Sequence, residues 1–170
     1  MPTTNPEGKE RGSTSTRPGA FSVILRVGLI AGTLDITENL VFNLFRGITP
    51  KMVFQYIASG LVGMKSFQVG LASVVLGVAL HYLIALTWTG IYYAASRKLG
   101  ILIRRPVICG LLYGAFVYLW MNLVVLPLSG VPHAAAAMTL ASRISGVLAL
   151  LFCIGLTIAL LVRRYSGGAT

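Results

Sequence analysis

Asp35 and Glu38 stand inside an apolar stretch running from Phe21 to Phe45, and no acidic residue follows them in the chain. A carboxylate at the centre of a membrane helix costs roughly 2.5–3.5 kcal/mol on insertion scales, so such groups persist where something nearby compensates them. Other apolar stretches carry matching groups: His81, Asn122 and Arg143, with Asn39 beside the acids. Carboxylates with an imidazole can relay protons or hold a cation, and carboxylate and imidazole together suit iron, manganese or zinc. A carboxylate with a guanidinium makes an ion pair, and amides hydrogen-bond across helices.

The elements that must position these groups are membrane helices. Of 170 residues, 56% are apolar and 11% charged, against about a quarter charged in soluble domains. Continuous apolar runs fall at about 21–45, 68–96, 106–127 and 137–162, each matching the ~20 residues a spanning helix needs. Membrane barrel strands would instead alternate over about ten residues. The predicted fold is therefore an all-α membrane protein, a four-transmembrane-helix bundle over 20–164. Residues 1–19, rich in Ser, Thr, Gly and Pro, read as a disordered cytoplasmic tail, and 165–170 as a C-terminal tail. Thr49-Pro50 is a helix-start signal for a short helix over about 50–63, too short to span, and so interfacial or re-entrant.

The net charge of +10 comes from cations in small groups between apolar runs, not from one basic face, so it speaks of orientation and not of nucleic acid. Arg97, Lys98, Arg104 and Arg105 in the second loop, with Arg163 and Arg164, place both termini on the cytoplasmic side. Cys109 and Cys153 have no partner at metal or redox spacing.

Counting about 1.5 Å per residue, Asp35, Glu38, Asn122 and Arg143 come to one height, with His81 somewhat nearer the midplane. Small residues lead to each polar group: Gly28 and Gly32 to Asp35 and Asn39, Gly77 to His81, and Gly110 and Gly114 to Tyr118 and Asn122. In the fourth helix the expected inward face is Arg143, Gly146, Leu150, Cys153 and Thr157. Stripes of this kind let membrane helices approach closely and hydrogen-bond. The expectation is one buried polar layer of Asp35, Glu38, Asn39, His81, Asn122 and Arg143, in which Arg143 pairs with Asp35 or Glu38. Arg143, about six residues from its helix end, is also long enough to reach the outer surface. As metal ligands Asp35, Glu38 and His81 are weak candidates, lacking a repeated Glu-x-x-His pattern, and His133, in a loop, lies too far from His81 for a shared haem.

The signatures of P-loop ATPases, zincins, thiol redox enzymes and serine hydrolases do not occur in the sequence. No cofactor is expected, and the partners expected are the lipid bilayer and, for so short a chain, a second copy in a homo-oligomer. The leading reading is a non-catalytic accessory or structural membrane protein. The alternative is a proton- or cation-linked transporter or channel subunit, and the third reading a metal- or quinone-dependent membrane enzyme.

The run GLIAGTLDITENLVFNLFRGITPKMVFQYIASGLVG, the His81 helix and GLLYGAFVYLWMNLVVLPLSG resemble a group of small, uncharacterised bacterial inner-membrane proteins, the YagU-like proteins. The resemblance covers about Val27–Gly130 and implies a bacterial inner-membrane home and a four-helix body, with no activity attached.

Overall fold

Four helices in the computed structural model are long and apolar enough to cross a membrane: α1 (Ala20–Leu44), α3 (Leu71–Lys98), α4 (Pro106–Leu128) and α5 (Leu140–Ser166). A shorter helix, α2 (Pro50–Val62), lies between the first two. The structure describes residues 19–131 and 139–166. The N-terminal tail up to residue 18, the start of the fourth run at Ala137 and the loop His133 lie outside them. At the other end α5 takes in Tyr165 and Ser166, which the sequence had assigned to the tail, because Tyr165 still packs on the buried core.

Glycine decides how the spans meet. On α1, Gly28 lies against Leu86 and Thr89, and Gly32 against Ala85 and Tyr82; a Cβ on Gly28 would come within 2.7 Å of Leu86 Cδ2. On the other side of the bundle Gly110 and Gly114 of α4 face Gly155 of α5 so closely that a Cβ on Gly155 would overlap the Gly110 carbonyl. Two tight antiparallel pairs result, α1–α3 and α4–α5, the close approach that small residues permit in lipid. Aromatic side chains join them: the Tyr113 hydroxyl donates to the Trp88 carbonyl (2.6 Å), and its ring meets Tyr92 edge-on at 4.9 Å. Large apolar side chains such as Leu29, Leu83, Leu112 and Leu148 are exposed on the outer faces, where lipid replaces water.

The two ends of the bundle differ. Where α1 begins and α5 finishes, Val23, Val27, Tyr92, Ile158 and Val162 form a dry core. Toward the opposite end both α4 and α5 open into wide π-type turns, over Met121–Val125 and Leu150–Leu156. In α4 the cause is Pro127, which lacks an N–H and crowds the carbonyl four residues earlier. In α5 the Thr157 hydroxyl donates to the Phe152 carbonyl five residues back, at 3.0 Å.

At this wider end α2 packs on α3. The Thr49 hydroxyl caps it by accepting from the Met52 N–H, and Pro50 occupies its first turn. Buried Gln55 donates to the Ser66 carbonyl (3.2 Å) and to Ser73 Oγ (3.3 Å), fastening α2 to the following turn and to α3. The Phe54 carbonyl lies directly against Gly77, the seventh residue of α3 and so about 9 Å along that helix. The Gly130 N–H, past the end of α4, donates to the Gly60 carbonyl at 2.9 Å, tying the loop after α4 to α2.

Candidate functional site

Between the two helix pairs, and closed from one side by α2, is a cavity of about 610 Å³. One stripe of α1 forms its polar wall: Asp35, Asn39 and Asn43 follow at steps of four with Phe42 beside them, and Arg46, in the turn just past the helix end, lines the same space. His81 and Trp88 of α3, Tyr118 and Asn122 of α4, and Ser142 and Ser145 of α5 face it from the other spans. From α2 come Met52, Val53, Tyr56 and Ile57.

Most polar groups of this wall are held by protein. His81 Nε2 lies 2.8 Å from the Gly32 carbonyl. A carbonyl only accepts, so Nε2 carries the proton and Nδ1 of the neutral ring is left as an acceptor. Gly32, with Tyr82 and Ala85 against it, brings α1 close enough for this bond. Asn43 donates to both the carbonyl (2.9 Å) and the side-chain oxygen (3.0 Å) of Asn39, and Asn122 donates to the Tyr118 carbonyl (2.8 Å). Arg46 donates to Ser142 Oγ at 2.7 Å and stands over the Phe42 ring, 5.7 Å from its centre. Two groups differ. Half-buried Asp35 has no hydrogen-bond or ion-pair partner among the described residues. The Tyr56 hydroxyl is buried, also without a partner, and burial raises its pKa above the ordinary phenol value, so it stays a neutral donor.

Of the six residues expected in one layer, the cavity brings together Asp35, Asn39, His81 and Asn122. Glu38 does not line it; its carboxylate accepts from Ser145 Oγ at 2.5 Å, across the α1–α5 contact. Arg143 departs from the expectation outright, being exposed and unpaired with either acid. Thr139 caps α5 by accepting from the Ser142 N–H, so the helix begins later than the apolar run and Arg143 falls in its first turn. Ser142, Ser145, Gly146 and Ala149 form the inward stripe there. Farther along, the π-type turn shifts the face again, so that buried Ile154, Gly155, Ile158 and Val162 replace the expected Cys153 and Thr157.

The cation that does face the cavity is Arg46, in the turn that follows α1. Helical period gave no signal for it, because the helix ends at Leu44 before Arg46 is reached. Ser145 and Tyr56 gave none either, since their roles depend on which helix lies opposite. As a metal set, Asp35, Glu38 and His81 do not hold together: among the described residues no three His, Cys, Asp or Glu side chains gather as ligands.

A carboxylate and an imidazole nitrogen without partners among the described residues, with a set of amides along one wall, can bind a positively charged group or pass a proton. Fold and site together define a multi-pass α-helical membrane protein with a largely apolar cavity that carries a few polar groups. Compared with family models, curated proteins and solved structures, the chain matches none.

Proposed function

We propose that this protein is a carrier or channel subunit for a small cationic species, proton included, which meets Asp35 inside the cavity. One observation carries the reading: the Asp35 carboxylate lines a cavity of about 610 Å³ with no partner among the described residues. A polar layer that served only to lock helices together would hydrogen-bond its acidic members to a neighbouring helix, since those bonds do the locking. Glu38 is used in that way, through Ser145, whereas Asp35 is not. This favours the transport reading over that of a purely structural protein.

The proposal includes a bacterial inner membrane, with the loop of Arg97, Lys98, Arg104 and Arg105 on the cytoplasmic face. Arg163 and Arg164 fall at the same end, and the cavity with α2 faces the other. Its support is the distribution of Lys and Arg together with the family resemblance of Val27–Gly130.

The test is flux in reconstituted vesicles. Native protein is expected to carry protons or monovalent cations along an imposed gradient, and Asp35→Asn to lose at least about nine tenths of the rate, a change of 1.4 kcal/mol or more. Native rates equal to those of empty vesicles, or an Asp35→Asn protein that is folded and equally active, overturn it.

A further inference from the structure

We infer that the cavity takes a lipophilic organic monocation, an amine or its quaternary analogue, with its positive centre at Asp35 and its apolar body in the rest of the space. The inference rests on the carrier reading and names its substrate class.

Charge comes first. Two charged side chains line the cavity, and Arg46 is already held by Ser142 and the Phe42 ring. Neither contact cancels the guanidinium charge, so the wall carries one charge of each sign; Asp35, with no ion-pair partner among the described residues, is the place where a single positive charge fits. Size comes next. A volume of about 610 Å³ is that of a pocket for a drug-sized molecule, where pockets run about 300–1,000 Å³. A bare divalent ion would ask for about six oxygen ligands, and the described residues bring no three acid, His or Cys side chains together.

The chemistry of the wall agrees. Trp88, Tyr118 and Tyr56 bring aromatic rings to the cavity from three helices, and ring faces attract organic cations once water is excluded. Ile84, Met121 and Ile154 supply apolar surface, with Met121 able to adapt to irregular shapes.

The test is equilibrium binding of radiolabelled tetraphenylphosphonium to the full chain in neutral detergent. Saturable binding is expected, displaced by benzyltrimethylammonium and not by the neutral triphenylphosphine oxide. Asp35→Asn should weaken it by about tenfold or more, while Asp35→Glu, which keeps the charge, and Arg143→Gln, off the cavity wall, stay within about threefold. The displacement arm needs no variant, so a poorly folding Asp35→Asn does not remove the test. Absence of saturable binding to native protein, equal displacement by the neutral compound, or undiminished binding to folded Asp35→Asn overturns the inference. If native vesicles carry protons or alkali cations through Asp35 while tetraphenylphosphonium fails to bind, this inference falls and the carrier reading stands. Failure of both assays removes both.

Discussion

Ser145 and Arg143 lie two residues apart on α5 and have opposite consequences. Ser145 gives its hydrogen to the Glu38 carboxylate, whereas Arg143 is exposed in the first helical turn. Hydrogen bonds between membrane helices average about 0.6 kcal/mol and reach about 1.7. Ser145→Ala should therefore destabilise the protein by about 0.6–1.7 kcal/mol, near the upper end because the acceptor is charged. Arg143→Ala should stay within about 0.5 kcal/mol, as surface changes do. Unfolding equilibria in mixed micelles measure both; a larger loss for Arg143→Ala would restore the ion pair that residue type and depth had suggested. Asp35 and Glu38, one turn apart, thus divide the work: one carboxylate joins helices and the other is left to the cavity.

At the scale of elements, glycine contacts fix the helix pairs and the wide turns loosen what lies beyond them. Gly155→Ala would press a methyl group against backbone atoms of Gly110 and Gly114, none of which can swing aside. Its expected cost is about 1–3 kcal/mol, in line with overpacked cores. Gly90, in α3, has nothing within 4 Å of its would-be Cβ. Gly90→Ala should be neutral or gain up to about 1 kcal/mol from helix propensity, which makes it a control for the same substitution. Equal thermal stability of the two variants would contradict the α4–α5 contact. Gly77→Ala belongs with the costly class, since its Cβ would meet the Phe54 carbonyl and push α2 from α3. Because α2 also lines the cavity, that variant should lose flux together with stability.

For the whole molecule the question is direction. A dry core occupies one end and the cavity, roofed by α2, the other, and basic residues gather beyond the dry end. Retention of Lys and Arg on the cytoplasmic side predicts that the cavity end faces outward. With Cys109 and Cys153 replaced by alanine, a single cysteine in place of exposed Lys51, at the start of α2, should react with a membrane-impermeant maleimide added to intact cells. One in place of exposed Lys98, at the end of α3, should react only after the cells are opened. The reverse pattern would invert the protein and turn its cavity toward the cytoplasm.

The sequence by itself determined the class of fold and its organisation: four apolar helices, a short capped helix after Thr49-Pro50, and small residues leading to the polar positions on the first three spans. These follow from local causes, namely hydrophobic length, capping chemistry and helical period, which need no knowledge of neighbours. Asp35, Asn39, His81 and Asn122 were legible for the same reason, as polar groups at one depth, and they line one cavity from three helices. Only the tertiary structure decided the charge partners. Arg143 was displaced by where α5 starts and Arg46 took its place on the cavity wall. Ser145 supplied what an arginine had been expected to supply, and the π-type turns moved the far end of α5 off a regular period. The physical reason is that a hydrogen bond or ion pair depends on rotation and register set by close helix contacts, and a shift of one residue turns a side chain by about 100°.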